Sequence, residues 1–148
     1  MPRDHPPIDA EQRLAALEQM STREPQNPDF QAQVANLYFD LARYETAAAF
    51  YERSLRLRPG DAAVETDLAV CYHNLGRHDQ ALETLGRVLQ YKPGFVQAMY
   101  NKGVVLIHGK KDVAGAAAAW EDLLRTHPEY PQRAELERRI RELKASGN

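Results

Sequence analysis

Apolar residues along this chain recur with helical spacing, and proline interrupts that spacing at regular intervals. The interruptions lie 34, 34 and 35 residues apart, at Pro25, Pro59, Pro93 and Pro128. Proline lacks a backbone N–H and disfavours helix in the residue before it, so helices should end at Arg58, Lys92 and His127. A period of this length predicts stacked helix-turn-helix units.

Equivalent residues of successive units agree in size. The first helix of each unit has a small residue at its centre, and these residues are Ala35, Ala69 and Gly103. The second helix has a small residue and, one turn later, a large one; the large residues are Tyr51, Leu85 and Trp120. Small residues let two helices approach closely, and a large residue fills the remaining space. We therefore expect antiparallel helix pairs with Trp120 in the core.

The two ends fit the same register. Residues 9–23 correspond to a second helix without its partner, capped by Asp9, and Leu14, Leu17 and Met20 form its apolar stripe. Because its partner helix is missing, we expect this helix to expose one apolar face. Residues 132–144 form an amphipathic capping helix, for which we predict the i,i+4 ion pairs Glu135–Arg139 and Glu137–Arg141. The predicted division is a flexible N-terminus (1–8), a lone helix (9–23), three repeats (28–61, 62–95 and 96–130, the array ending at 131) and a cap with its tail (132–148), or eight helices in all.

The turns within the pairs differ between units. Gly76 and Gly109 are suited to a left-handed turn, whereas Ala42 in the first unit indicates a different turn. The third turn, residues 108–112, carries the extra residue that lengthens the last spacing to 35. We expect a longer and more exposed loop there.

These columns resemble the tetratricopeptide repeat family, over about residues 9–128. The resemblance implies an all-α, right-handed α-solenoid in which first helices line a concave groove that binds a peptide or a helix of a partner protein. The groove residues it implies are Asn36, Phe39, Asp40, Val70, His73, Asn74, Tyr100, Val104 and Ile107. Apolar centres flanked by amides suit an extended peptide or an amphipathic helix.

Some members of this family hold the carboxylate of a chaperone tail with basic and amide side chains. The corresponding positions here are Ala32, Asn36, Asp67, Gln97 and Asn101. Only Asn36 and Asn101 fit that role, and Asp67 would repel a carboxylate. We predict that this chain does not bind such tails.

Charge and composition narrow the possible partners. The net charge is −2 with both signs interspersed, which does not favour nucleic acid. The longest apolar run, residues 113–120, is too short to span a bilayer, and no signal segment is recognisable. Together with the single Cys71, these features predict a cytoplasmic protein. If Met1 is not the natural start, the chain is instead expected to be the soluble part of an exported or membrane-anchored bacterial protein.

The sequence contains no constellation typical of catalysis. Cys71 and His73 lie two residues apart on a helix and point to different faces, so Cys71 is expected to be a buried hydrophobe. The five histidines lack metal-ligand spacing, and His73 and His108 are interpreted as exposed single residues. We expect no enzyme activity, no cofactor and no metal.

Two other functions remain open. Residues 13–27 and 117–124 resemble, less specifically, bacterial repeat proteins of cytochrome c maturation, which implies an apocytochrome helix as the partner. Alternatively, the chain is an assembly module that forms a homodimer through its N-terminal helix.

Overall fold

The described residues, 10–147 of a computed structural model, form eight α-helices and no strand. The helices are α1 (Ala10–Arg23), α2 (Pro28–Asp40), α3 (Tyr44–Leu57), α4 (Ala62–Asn74), α5 (His78–Tyr91), α6 (Val96–Val104), α7 (Val113–Thr126) and α8 (Arg133–Ser146). A π-helical turn, Val105–Gly109, continues α6. The predicted helix count and the α-solenoid of antiparallel pairs are confirmed. The expected flexible N-terminus and the Asp9 cap lie outside the described residues.

The helices begin and end where local chemistry dictates. Asn27, Asp61 and Asp112 cap α2, α4 and α7, each accepting a hydrogen bond from a backbone N–H of the first turn. At the other ends, α3, α5 and α7 stop one residue before the C-caps Arg58, Lys92 and His127, each of which precedes a proline. The predicted helix ends are therefore confirmed.

Each pair packs as the size pattern indicates. Helices α2 and α3, α4 and α5, and α6 and α7 pack against one another, and α3 against α4 joins successive pairs. Trp120 is 1% exposed. A Cβ placed on Gly103 would collide with the Trp120 ring. Trp120, the largest of the three large residues, therefore packs against Gly103, the smallest of the three small ones. This match confirms the predicted core role of Trp120.

The prediction of a longer third loop was wrong. All three turns have three residues, at 41–43, 75–77 and 110–112. The extra residue is accommodated in the π-helical turn, where Lys110 N–H donates to Val105 C=O at 3.1 Å. The left-handed residues of the turns are Ala42 (φ 58°), Gly76 (φ 80°) and Lys111 (φ 56°). Ala42 thus shares the turn of Gly76, and Gly109 is not a turn residue.

The expectation of an exposed apolar face on α1 was also wrong. Leu14 is 6% exposed and packs in one cluster with Val34 and Leu37 of α2, and Leu17 is partly buried there. Tyr91, far from this helix in sequence, is the only exposed large hydrophobic residue within 10–147. Leu14 and Leu17 thus pack against the α2–α3 pair, and a homodimer through α1 stays a prediction.

Candidate peptide-binding groove

The nine predicted groove residues lie on α2, α4, α6 and the π-helical turn, and we call their surface the inner face. Asn36, Asp40 and Asn74 are exposed on it. The other six side chains are partly buried: Phe39, Val70, His73, Tyr100, Val104 and Ile107. The inner face therefore combines accessible apolar side chains with polar ones, although individual residues differ in what already contacts them.

At the first repeat, the inner face rests on a polar contact between helices. The Tyr51 hydroxyl of α3 donates to Asn36 Oδ1 at 2.5 Å. Phe39 packs edge-on against Tyr44, with ring centroids 5.4 Å apart. The first contact fixes the orientation of the Asn36 amide, which leaves its N–H groups available to a ligand.

Asp67 of α4 has a carboxyl group with a raised pKa. Burial and, to a lesser extent, the nearby Asp61 raise the pKa of its carboxyl to about 6. Asp67 makes no ion pair within residues 10–147. Because it is ionised at neutral pH, it gives this part of the inner face an uncompensated negative charge.

Cys71, one turn beyond Asp67, is completely buried. Burial, with a smaller contribution from Asp67, raises the pKa of its thiol to about 12. The thiol is therefore protonated at neutral pH and is not a nucleophile. The predicted role of Cys71 as a buried hydrophobe is confirmed.

His73 is not the exposed single residue that we expected. Its Nδ1 lies 2.9 Å from Nδ1 of His78, the first residue of α5. Burial lowers the pKa of His73, and His78 and His108 lower it further. This pair could not be predicted from the sequence pattern, because a five-residue separation is not a helical contact spacing. The two residues meet because the chain reverses between them.

Tyr100 was expected to be a free groove residue, but it is held by α8 and α7. It stacks on Trp120 with ring centroids 5.8 Å apart, and its hydroxyl accepts a hydrogen bond from Arg139 Nη1 at 2.9 Å. The Arg139 guanidinium lies 4.5 Å above the Trp120 ring. Replacement of Tyr100 would thus disturb the packing of the cap as well as the inner face.

The predicted ion pairs Glu135–Arg139 and Glu137–Arg141 do not form. Arg138 instead bridges Glu135 at 2.5 Å and Glu142 at 2.6 Å, and Arg133 pairs with Glu137. Arg139 points towards Trp120, beside a cavity of about 280 Å³ that Ile107 and Leu143 also line. Arg139 is thus a residue of the inner face that the sequence reasoning missed, because it was assigned to the solvent side of α8.

Residues 10–147 bring together no group of three or more metal-ligating side chains. Over the same range, no helix is both long enough and apolar enough to cross a membrane.

Two family models, both described as tetratricopeptide repeat, match residues 40–102 and 97–130. These ranges include the second and third repeats and end at the helix-terminating region around Pro128. The chain belongs to the tetratricopeptide repeat family. The predicted family resemblance is confirmed.

Individual relatives within the family are distant. The Hsp70-Hsp90 organizing protein of Triticum aestivum is 29% identical over 97 residues, which are 66% of this chain and 17% of that protein. The chain spans 17% or less of the curated relatives that it matches. Similarity of this extent concerns the repeats and does not transfer the activity of a whole relative.

Solved tetratricopeptide structures have the same fold. MamA 41-end from Desulfovibrio magneticus RS-1 superposes with a TM-score of 0.72 at 19% identity, covering 93% of this chain and 86% of that one. The first tetratricopeptide domain of Spaghetti (RPAP3), bound to the HSP90 peptide SRMEEVD, gives a TM-score of 0.71 at 17% identity, covering 82% and 93%. At these identities the likeness shows the fold alone.

Proposed function

We propose that this tetratricopeptide protein is a non-enzymatic interaction scaffold whose inner face binds a peptide or helix of a partner protein. The observation that carries the proposal is the partly exposed apolar series Phe39, Val70, Val104 and Ile107 on the inner helices. Exposed amides at Asn36 and Asn74 flank this series and can hydrogen-bond a peptide backbone.

The acidic residues of the inner face restrict which peptides can bind. Asp67 is ionised at neutral pH and has no cationic partner within residues 10–147, and Asp40 is exposed on the adjoining α2. A ligand with a lysine or arginine near α4 gains a charge-assisted contact, whereas a ligand with a carboxylate there is repelled. We therefore infer that the preferred ligand is apolar with a basic residue.

Selection from a random peptide library on the wild-type chain tests this function. Peptides that bind the inner face should lose affinity for Val70→Asn by at least about tenfold, because the apolar contact is lost and the new amide is desolvated beneath the ligand. Val70 is preferable to Tyr100 as the test position, since Tyr100 also contacts Trp120 and Arg139. Fluorescence anisotropy would measure the dissociation constants.

The matched control is Ala49→Asn, which adds the same polar group to an exposed position of α3. This variant should bind the selected peptides as the wild type does, and circular dichroism should show equal helicity for all three proteins. Equal binding by the wild type and Val70→Asn would refute the inner face as the site.

The HSP90 peptide SRMEEVD gives a second prediction. We expect no binding at micromolar concentrations, because Ala32 supplies no charge and Asp67 repels the peptide's carboxylates. The first tetratricopeptide domain of RPAP3, whose structure contains this peptide, is the positive control. Saturable micromolar binding to this chain would overturn the prediction.

The other interpretations have weaker support. Self-association through α1 remains an alternative prediction, to which the buried Leu14 does not contribute because it packs against α2. An apocytochrome helix remains one form of the helical ligand, and a cytoplasmic location remains a prediction from the sequence.

A further inference from the structure

Two imidazole nitrogens approach each other at the junction of α4 and α5. Nδ1 of His73 and Nδ1 of His78 are 2.9 Å apart, and the ring planes make an angle of 55°. His73 belongs to the last turn of α4, and His78 is the first residue of α5. Both residues are partly buried.

Packing alone does not require imidazoles at this junction. The positions 34 residues earlier are Phe39 and Tyr44, which fill the same place in the first repeat with an edge-to-face aromatic contact. That contact buries two rings without offering any nitrogen. The second repeat therefore has the same architecture with two imidazole rings in place of the two benzene rings.

We propose that His73 and His78 form a bidentate site for a divalent transition metal ion of tetragonal preference, nickel(II) or copper(II). Two nitrogens that each bind one ion at about 2.0–2.1 Å, at an angle between about 90° and 110°, lie roughly 2.9–3.4 Å apart. The observed separation of 2.9 Å lies at the lower end of this range, which corresponds to a nitrogen–metal–nitrogen angle near 90°, as in square-planar coordination. Nitrogen ligands in that geometry are typical of copper(II) and nickel(II).

The local backbone holds the two rings in place before an ion arrives. Gly76 adopts a left-handed conformation (φ 80°), and Arg77 N–H donates to Tyr72 C=O at 2.8 Å, which closes the turn between the rings. On the far side, Gly109 packs so closely that a Cβ there would lie 2.5 Å from His78 Nδ1. A chelate whose ligands are already oriented loses less conformational entropy on binding.

A bound ion would replace the contact between the two rings. Binding through both Nδ1 atoms requires that each ring carry its proton on Nε2, so the hydrogen bond between the rings is exchanged for two metal–nitrogen bonds. With two protein ligands, water completes the coordination, and the ion remains exchangeable.

Titration of the whole chain with nickel(II), followed by calorimetry, tests the site. We expect one equivalent to bind the wild type and the affinity to fall by at least about tenfold in His73→Phe/His78→Tyr. This double variant reproduces the aromatic pair of the first repeat and retains the other three histidines. His127→Ala, which removes an imidazole elsewhere, should bind nickel(II) as the wild type does, and magnesium(II) should not bind.

A measurement on the wild type keeps the test independent of how the double variant folds. In long-range proton–nitrogen spectra, zinc(II), a diamagnetic probe, should shift the Nδ1 resonances of His73 and His78 and leave that of His127 in place. Equal nickel(II) affinity in the wild type and a folded double variant would overturn the proposal. Absence of both nickel(II) binding and Nδ1 shifts up to about millimolar metal would do so as well.

Discussion

At the scale of single residues, Asp67 is a charged side chain whose partial burial destabilises the folded state. The position faces the inner side of α4, where burial raises the pKa of the carboxyl to about 6. An aspartate in an unfolded chain has a pKa of about 3.9. Between these values the folded state holds a proton that the unfolded state has released. Stability therefore falls as the pH rises from about 4 to about 6, and the full cost is present at neutral pH.

Asp67→Asn should consequently stabilise the protein at pH 7 and have a much smaller effect at pH 4. A difference of one pKa unit corresponds to 1.36 kcal/mol, and partial solvent screening reduces the gain to roughly 1–2 kcal/mol. Urea denaturation at both pH values measures the free energy of unfolding. An equal change at the two pH values would contradict the assignment of the cost to the ionised carboxylate.

At the scale of the helix pair, the contact between α6 and α7 depends on complementary size. Gly103 leaves room for the Trp120 indole, whose Nε1 also donates to Tyr100 C=O at 3.0 Å. In the second pair, Ala69 and Leu85 occupy the positions that correspond to Gly103 and Trp120, and both are fully buried. The two pairs thus fill a similar space with different residues: a larger side chain on the second helix goes with a smaller residue on the first.

Gly103→Ala should destabilise the protein by about 1–3 kcal/mol, because the added methyl group overpacks the contact with Trp120. The gain in helix propensity, about 1 kcal/mol, offsets only part of this strain. Thermal and urea unfolding would measure the loss.

Adding Trp120→Leu to the Gly103→Ala variant should recover stability, because the two changes reproduce the Ala–Leu combination of the second pair. The recovery appears as a favourable coupling energy in a double-mutant cycle. Additive losses from the two substitutions would show that they do not share the space that the structure indicates.

At the scale of the whole molecule, α8 closes the end of the array. Leu136 and Ile140 are buried in one cluster with Trp120, Leu123 and Leu124, while Arg139 covers the Trp120 ring. Without α8, the apolar side of α7 would face water. Helix α8 therefore covers this side of α7 and brings Arg139 beside Tyr100, and its role as the terminal cap stays a prediction.

Truncation after Gln132 should lower the free energy of unfolding by roughly 3–6 kcal/mol, the contribution expected from two fully buried aliphatic side chains. The exposed α7 surface should also increase the fluorescence of a hydrophobic dye. Leu136→Ala, which keeps the helix, should give a smaller loss of about 2–5 kcal/mol. An unchanged urea midpoint for the truncated chain would contradict the capping role.

The sequence by itself determined the repeat, the helix ends and the residues of the core. These features depend on local rules: proline stops a helix at the same point in each unit, and small and large residues recur at a fixed spacing. Tertiary structure alone decided where the extra residue of the third unit went. The backbone absorbed it as a π-helical turn, because this keeps Asp112 N–H bonded to Leu106 C=O at 2.8 Å, as Arg77 is bonded to Tyr72 in the second unit.

Tertiary structure also decided the details of the candidate sites. The spacing along the chain did not predict the contact between His73 and His78. It also did not predict that Arg139 would contact Trp120 instead of Glu135, or that Leu14 of α1 would be buried against α2. Each of these outcomes depends on which surfaces the neighbouring helices present in three dimensions. Periodicity determines that a side chain faces inward, but the shape and charge of the opposite surface determine what it contacts there.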